Sequence, residues 1–252
     1  MHATPQTTGP TPLFTIRAPR KGDGRQVARY ADQAMHGQKD AGWLNGVAAQ
    51  VDAGEIETTH EFGYSSKSRG ITGSVVSDPY MRVLDLGERA PSGMIYSIQP
   101  MNWILEQKHV ALDWPAIVGR FVEVNLLAVH KSHRGKGYGS QLLAETESRY
   151  RHHGYSLAMV IIDHEHDPTL RGWYERRGYT FTEPGERPVI QMRAASSATR
   201  AVYSHYDDDQ LAGFKALTDA VTIGRRMCTG ILTPASKRPV DVELLTVAGV
   251  LD

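Results

Sequence analysis

The sequence has little of three things that would point to particular classes of protein: cysteine, net charge of one sign, and long apolar runs. Cys228 is the only cysteine among the 252 residues, which excludes an intrachain disulfide and a zinc site built from several cysteines. Lys and Arg total 28, as do Asp and Glu, so no net basic field attracts nucleic acid or an anionic membrane. The longest apolar stretch, residues 157–162, is far shorter than the ~20 residues of a membrane-spanning helix.

The remaining composition is that of an ordinary globular protein. Hydrophobic residues make up 40% of the chain and charged residues 22%, enough to bury a core of normal size. The Thr- and Pro-rich residues 1–12 lack the basic patch and apolar run of a secretory signal. Together with the single cysteine, which suits a reducing compartment, this predicts a cytoplasmic protein without nucleic-acid or membrane partners.

Hydrophobic patterns and turn signals predict a flexible tail (1–12), one domain (13–193), and a linker plus helical extension (194–252). Helices are expected after Asp23, across 40–52, from the glycine-rich turn to near Gly154, and from the Asp167-Pro168 pair. A further helix is expected over 207–225. Strands are expected at 13–17, 71–76, 81–86, 94–98, 120–129, 155–162, 180–182, 189–192 and 240–247. The last strands before the linker, 180–182 and 189–192, are expected to pair with each other. The class is therefore α/β.

The most informative segment is a glycine-rich turn, Arg134-Gly-Lys-Gly-Tyr-Gly139, between a predicted strand and a predicted helix. Glycines allow close approach of a ligand to backbone amides, and a helix N-terminus favours an anion. The nucleotide P-loop pattern fails because Gly137 follows Lys136, and the dinucleotide pattern fails because Ser140 replaces its last glycine. The pattern Arg/Gln-x-x-Gly-x-Gly is matched, while an ordinary basic turn remains the alternative.

Residues 120–180 resemble the core of the GCN5-related N-acetyltransferase (GNAT) superfamily. The pyrophosphate loop of that family matches the turn, and its Tyr-x-x-x-Gly-aromatic signature matches Tyr174-Glu-Arg-Arg-Gly178-Tyr179. The resemblance implies a mixed, mostly antiparallel central sheet flanked by helices. It also implies an acyl-CoA donor bound in a V-shaped split between strands 120–129 and 155–162. The residues that it assigns to this cofactor are Leu127, Val129, Arg134, Gly135, Lys136, Gly137, Tyr138, Gly139 and Ser140.

Two catalytic residues follow from the same resemblance. Tyr174 matches the general acid of the family, and its phenol is a proton donor at neutral pH. Glu123 takes the place of the catalytic base in the histone-acetylating branch, in an otherwise apolar strand where burial can raise a carboxyl pKa. A packing role for Tyr174 and a solvated strand end for Glu123 are the alternatives. Asp167 stands where the family often has an asparagine, which favours a helix cap over a cofactor contact.

A metal site is the less favoured interpretation of the acidic and histidine-rich residues 163–167. His164 and His166 would point the same way on a strand, but the sequence places no third ligand beside them. A solvated loop fits better, and no metal is expected.

The resulting prediction is an N-acetyltransferase that moves an acetyl group from acetyl-CoA to a primary amine through a direct tetrahedral intermediate. The alternative is a non-catalytic acyl-CoA-binding sensor or protein-interaction module. Acceptor specificity is expected from loops 36–62, 100–119 and 183–188, which carry no recognisable motif. The acceptor and a homodimeric state are left open.

Overall fold

A computed structural model describes residues 14–34, 42–66, 71–101, 103, 119–163, 168–194, 197–202, 209–231 and 238–251. Within them lie four α-helices: α1 (Gly24–Ala34), α2 (Gly42–Ala53), α3 (Tyr138–His152) and α4 (Pro168–Glu175). The strands are β1 (Thr15–Arg17), β2 (Glu61–Ser66), β3 (Ile71–Val76), β4 (Tyr80–Asp85), β5 (Gly93–Ile98), β6 (Phe121–Val129), β7 (Leu157–Asp163), β8 (Thr180–Phe181), β9 (Val189–Ala194), β10 (Ser197–Val202), β11 (Gln210–Ala216), β12 (Val221–Ile231) and β13 (Val240–Leu251).

The strands form three sheets. The largest has seven strands in the order β1-β4-β5-β6-β7-β11-β8, the second has the order β10-β9-β13-β12, and β2 pairs with β3. In the large sheet β1–β4, β7–β11 and β11–β8 are antiparallel, whereas β6 and β7 are parallel. This mixed α/β fold with a large, mostly antiparallel sheet confirms the predicted fold class.

The chain divides into two compact units, and the first comprises residues 1–56, 81–95 and 126–143. Its helix α1 begins after Asp23. The Asp23 carbonyl oxygen accepts hydrogen bonds from the amides of Gln26 and Val27, and its carboxylate accepts one from the Arg17 guanidinium group. Helix α1 also lies close to α2, since a Cβ on Gly24 would collide with the carbonyl oxygen of Ala48. The sequence predictions of β1, α1 and α2 are confirmed here.

The second unit comprises residues 57–80, 96–125 and 144–252. Its core joins the large sheet to the second sheet, because side chains of both sheets form one buried cluster. Its members include Phe121, Leu157, Met159, Ile190, Met192, Phe214, Leu245 and Val247. These eight residues come from five strands, β6, β7 and β11 of the large sheet and β9 and β13 of the second sheet. Burial of apolar side chains from both sheets in one cluster is the pattern expected of packed sheets.

The predicted helix over residues 207–225 is wrong, because this segment forms β11 and the start of β12. Strand β11 lies between β7 and β8 in the large sheet, and its residues Leu211, Ala212, Gly213 and Phe214 are all buried. Such an internal strand lacks the alternation that usually reveals a strand, while the spacing of Phe214, Leu217 and Val221 mimics a helix. The described residues beyond 194 thus form strands β10 to β13, and none of them lies in a helix.

Three smaller predictions also change. Strands β8 and β9 do not pair with each other: β8 pairs with β11, and β9 pairs with β10 and β13. The predicted loop 54–79 contains the β2–β3 hairpin, although only β3 was expected. The predicted linker after residue 194 contains β10. Residues 1–12, most of the insert 100–119, His164, His166 and Asp167 lie outside the described residues.

Candidate active site

The glycine-rich turn follows β6 and a short 3-10 helix, Lys131–His133, and leads directly into α3. Gly135 and Gly137 have φ angles of 77° and 84°, in the left-handed region that glycine adopts without strain. A Cβ on either residue would meet no atom within 4 Å, so the space above both is open. Arg134 anchors the turn, since its Nε donates a hydrogen bond of 3.0 Å to the carbonyl oxygen of Val129.

The amide groups of residues 135–139 in this turn are available to bind a ligand. Within the described part of the chain, the N–H groups of residues 135–139 donate to no acceptor. They lie at the N-terminus of α3, where the helix dipole favours negative charge, and the exposed side chains of Arg134 and Lys136 add two positive charges. Open space, unpaired donors and positive charge suit a phosphate or pyrophosphate group.

The second half of β6 precedes this turn and carries Leu127 and Val129, both half-buried. Strand β5 comes very close to it, since a Cβ on Gly93 would be 2.8 Å from the carbonyl oxygen of Ala128. The turn and these two residues belong to the same compact unit. A contact of Leu127 and Val129 with a pantetheine arm remains a prediction from the resemblance.

Glu123 lies in the first half of β6. Its neighbours Val122 and Val124 are buried, whereas Glu123 is half-buried and Asn125 is exposed, so the two polar residues share the more open face. Burial raises the pKa of Glu123 from 4.5 to about 7. The parallel ladder with β7 ends one residue further on, at Val124 and Val160. A carboxyl group with this pKa can accept a proton at neutral pH.

Tyr174 lies on α4 and is nearly fully buried, with 5% of its surface exposed. Its ring packs edge-on against Trp173 and Tyr179, at centroid distances of 4.8 and 5.2 Å, and is tilted relative to Phe181 at 6.2 Å. These four rings form the aromatic cluster. Burial and the carboxylate of Glu147 raise the pKa of Tyr174 above its ordinary value of 10. Its hydroxyl donates no hydrogen bond to a described residue. Tyr174 therefore keeps its proton and has a hydroxyl available to donate it.

A buried ion pair lies behind the aromatic cluster, and the sequence analysis did not identify it. Glu147 of α3 accepts hydrogen bonds from the Tyr179 hydroxyl, at 3.0 Å, and from the Lys215 ammonium group. One signal was available, because Leu143, Glu147 and Tyr150 share the inner face of α3 at helical spacing. The sequence does not reveal the partner Lys215, because its apolar spacing predicts a helix where β11 lies.

Metal binding and membrane insertion find no support in the described residues. No group of three or more His, Cys, Asp or Glu side chains in these ranges is arranged to hold a metal ion. No helix among those described has both the length and the hydropathy needed to cross a bilayer. Both histidines of the earlier metal interpretation lie outside the described ranges.

Comparison with known families agrees with the site. Residues 103–181 match the family model described as the Acetyltransferase (GNAT) domain. This segment includes the glycine-rich turn, Glu123, Glu147 and Tyr174. The predicted resemblance to the GNAT superfamily is thus confirmed over these residues. Strands β9 to β13 lie beyond the matched segment.

Solved structures resemble the chain at low sequence identity. The PaiA N-acetyltransferase from Thermoplasma acidophilum, in complex with coenzyme A, is 12% identical, with 81% of this chain and 98% of that chain covered and a TM-score of 0.44. Ard1 from Thermoplasma volcanium is 14% identical, with 82% and 99% covered and a TM-score of 0.46. The yncA protein from Salmonella typhimurium, with its cofactor acetyl-CoA, is 16% identical, with 82% and 95% covered and a TM-score of 0.47. No curated protein sequence matches the chain.

Proposed function

We propose that this protein transfers an acetyl group from acetyl-CoA to a primary amine through a direct tetrahedral intermediate. The observation that carries the proposal is the turn at 134–140, in which the unpaired amides of residues 135–139 lie at the start of a helix beside two basic side chains. This arrangement fits the pyrophosphate of CoA, because backbone donors and the helix dipole both favour a multiply charged anion. Leu127 and Val129 would present their backbone groups to the pantetheine arm.

Glu123 and Tyr174 would supply the proton transfers. An alkyl amine has a pKa of roughly 10.4, so it is protonated at neutral pH and cannot attack a carbonyl carbon. Glu123, with a pKa of about 7, would accept that proton. The amine nitrogen then bonds to the thioester carbon, and collapse of the tetrahedral intermediate breaks the C–S bond. Tyr174 would donate its proton to the departing thiolate, and the second proton that the nitrogen loses as the amide forms would return to the phenol through solvent.

The acceptor is an amine whose class is open. Of the three loops expected to recognise it, only 183–188 is described over its whole length, and its Glu183 and Glu186 form ion pairs with Arg171 and Arg225. These carboxylates are therefore already paired with cations in the protein. Protein amines, amino sugars and polyamines all remain candidates.

The experiment that tests the proposal is a panel of these amines incubated with acetyl-CoA, with release of the CoA thiol as the readout. We expect one class of amine to increase thiol release, with an equimolar acetylated amine found by mass spectrometry. A reaction without amine provides the control for slow hydrolysis. Tight acetyl-CoA binding without release for any amine would contradict catalysis and support the non-catalytic acyl-CoA-binding module.

A further inference from the structure

A buried charge lies under the aromatic cluster that contains Tyr174. Glu147 is 6% exposed, and its two carboxylate oxygens accept separate hydrogen bonds, one from Tyr179 and one from Lys215. A buried carboxylate is stable only when it is paired and hydrogen-bonded, so these three side chains form one unit. Glu147 lies on α3, Lys215 lies on β11, and Tyr179 directly follows the turn at the end of α4.

Lys215 connects this unit to the end of α4. Gly178 ends the turn after α4 with a φ of 88°, and a Cβ placed on it would lie 3.7 Å from Cε of Lys215. The lysine side chain therefore passes over Gly178, and its ammonium group lies 5.7 Å from the ring centre of Tyr179. The aliphatic part of Lys215 thus packs on the backbone that links Tyr174 to Tyr179.

Tyr179 in turn contacts Tyr174 directly. Their rings pack edge-on with an interplanar angle of 70°, and the Tyr179 amide donates a hydrogen bond of 3.3 Å to the Tyr174 carbonyl oxygen. The side chain of Tyr179 cannot move away from this position without breaking the hydrogen bond from its hydroxyl to Glu147. We propose that Glu147, Lys215 and Tyr179 are positioning residues that hold the hydroxyl of Tyr174 in place for proton donation.

The inference rests on the proposed function, since it assigns a role toward Tyr174 as the acid. The charges support it: the Glu147 carboxylate raises the pKa of Tyr174, which keeps the phenol protonated, while the Lys215 ammonium group compensates that carboxylate. A unit built only for stability would not need a carboxylate beside a proton donor, because apolar side chains of similar volume stabilise a core equally well.

The first test is Tyr179→Phe, which removes the hydrogen bond to Glu147 and retains the ring. We expect kcat to fall roughly tenfold or more, because a small misplacement of a reacting group is enough to slow the chemical step. The KM for acetyl-CoA should not change. Lys215→Arg, which retains the charge, should keep most of the parental kcat, whereas Lys215→Met should not. Unfolding curves confirm that each variant is folded, and a parental kcat in both Tyr179→Phe and Lys215→Met would overturn the inference.

The second test repeats Tyr179→Phe in a Tyr174→Phe background. If Tyr179 acts through Tyr174, the second substitution should lower kcat no further, whereas an independent structural effect would be additive. An additive loss would overturn the positioning role. A parental kcat for Tyr174→Phe alone would instead contradict the assignment of the acid in the proposed function, so the two failures are distinguishable.

Discussion

Gly213 of β11 lies directly against the ring of Phe181, with no room between them for a side chain. A Cβ on Gly213 would be 2.5 Å from Cζ and 2.6 Å from Cε1 of that ring. The two residues are also register partners in the β8–β11 pair, and Phe181 packs against Tyr174. A glycine in the C-terminal part of the chain therefore determines where one wall of the aromatic cluster lies.

Gly213→Ala should destabilise the protein by about 1–3 kcal/mol, because the added methyl forces the buried Phe181 ring to move. Denaturant unfolding measures this directly. Gly224→Ala is the matched control, since Gly224 also lies in a strand but has no atom within 4 Å of its Cβ position. Equal stability of both variants would contradict the contact.

Deletion of residues 194–252 should abolish folding of the second unit. The deletion removes β11 from between β7 and β8, leaving both strands without their shared partner, and it removes Phe214 and Leu245 from the core. We expect an insoluble product, because exposed strand edges and apolar surface promote aggregation. A soluble truncated chain with the parental melting temperature would contradict the placement of β11.

Glu123→Gln should alter the pH dependence of kcat/KM. In the parent, the active, ionised fraction of Glu123 increases as the pH rises through about 7, so the rate should rise there. The variant has no such group, and its rate should increase only as solvent deprotonates the amine near its own pKa of about 10.4. Glu61→Gln, an exposed carboxylate on β2, is the control. If kcat/KM of Glu123→Gln still rose near pH 7 as it does in the parent, Glu123 would be a structural residue and not the base.

The same pKa affects stability. The folded protein binds the Glu123 proton more tightly than the unfolded chain, because burial raises this pKa from 4.5 to about 7. The contribution of Glu123 to the free energy of unfolding should therefore decrease as the pH rises from about 4.5 to 7. Glu123→Gln should remove this decrease in a series of unfolding curves. A slope identical to that of the parent would show that Glu123 titrates at its ordinary pKa.

Tyr174→Phe should lower kcat by about 10²–10⁴-fold, the usual contribution of general acid catalysis, with little change in acetyl-CoA affinity. The substitution removes one hydroxyl and retains the ring that packs against Tyr179 and Phe181. Tyr30→Phe is the control for loss of a buried hydroxyl elsewhere, since Tyr30 lies on α1 and bonds to Pro91. Steady-state kinetics combined with calorimetric titration separate the two effects. Parental turnover in Tyr174→Phe would reassign the acid, provided that the absence of a pre-steady-state burst shows that product release does not limit the rate.

Local signals in the sequence located the turn and most elements that surround it. Asp23 before α1, the glycines at 135 and 137, and the apolar run of β7 each act through near neighbours in the chain, so their patterns are readable without a structure. The strand and helix on either side of the turn were predicted for the same reason. The family resemblance then added roles for Glu123 and Tyr174 that spacing alone does not supply.

The features that the sequence did not reveal all depend on distant partners. Strand β11 is buried on both faces and pairs with β7 and β8. Its strand conformation therefore depends on partners that are about 50 and 30 residues away in the sequence. Lys215 and Glu147 meet only because of this pairing. Hydrophobic periodicity carries no information about which strands become neighbours, and it fails where both faces of a strand are covered.

The central claim is that acyl-CoA binds to the turn at 134–140, and a calorimetric titration with acetyl-CoA tests it most directly. Gly137→Val should lose binding, because a β-branched side chain blocks backbone approach and disfavours the φ of 84°. Gly185→Val is the matched control, since Gly185 also has a positive φ, of 72°, and open space around it, in the loop between β8 and β9. We predict parental affinity for Gly185→Val and no measurable binding for a folded Gly137→Val. Parental affinity for Gly137→Val would contradict the account.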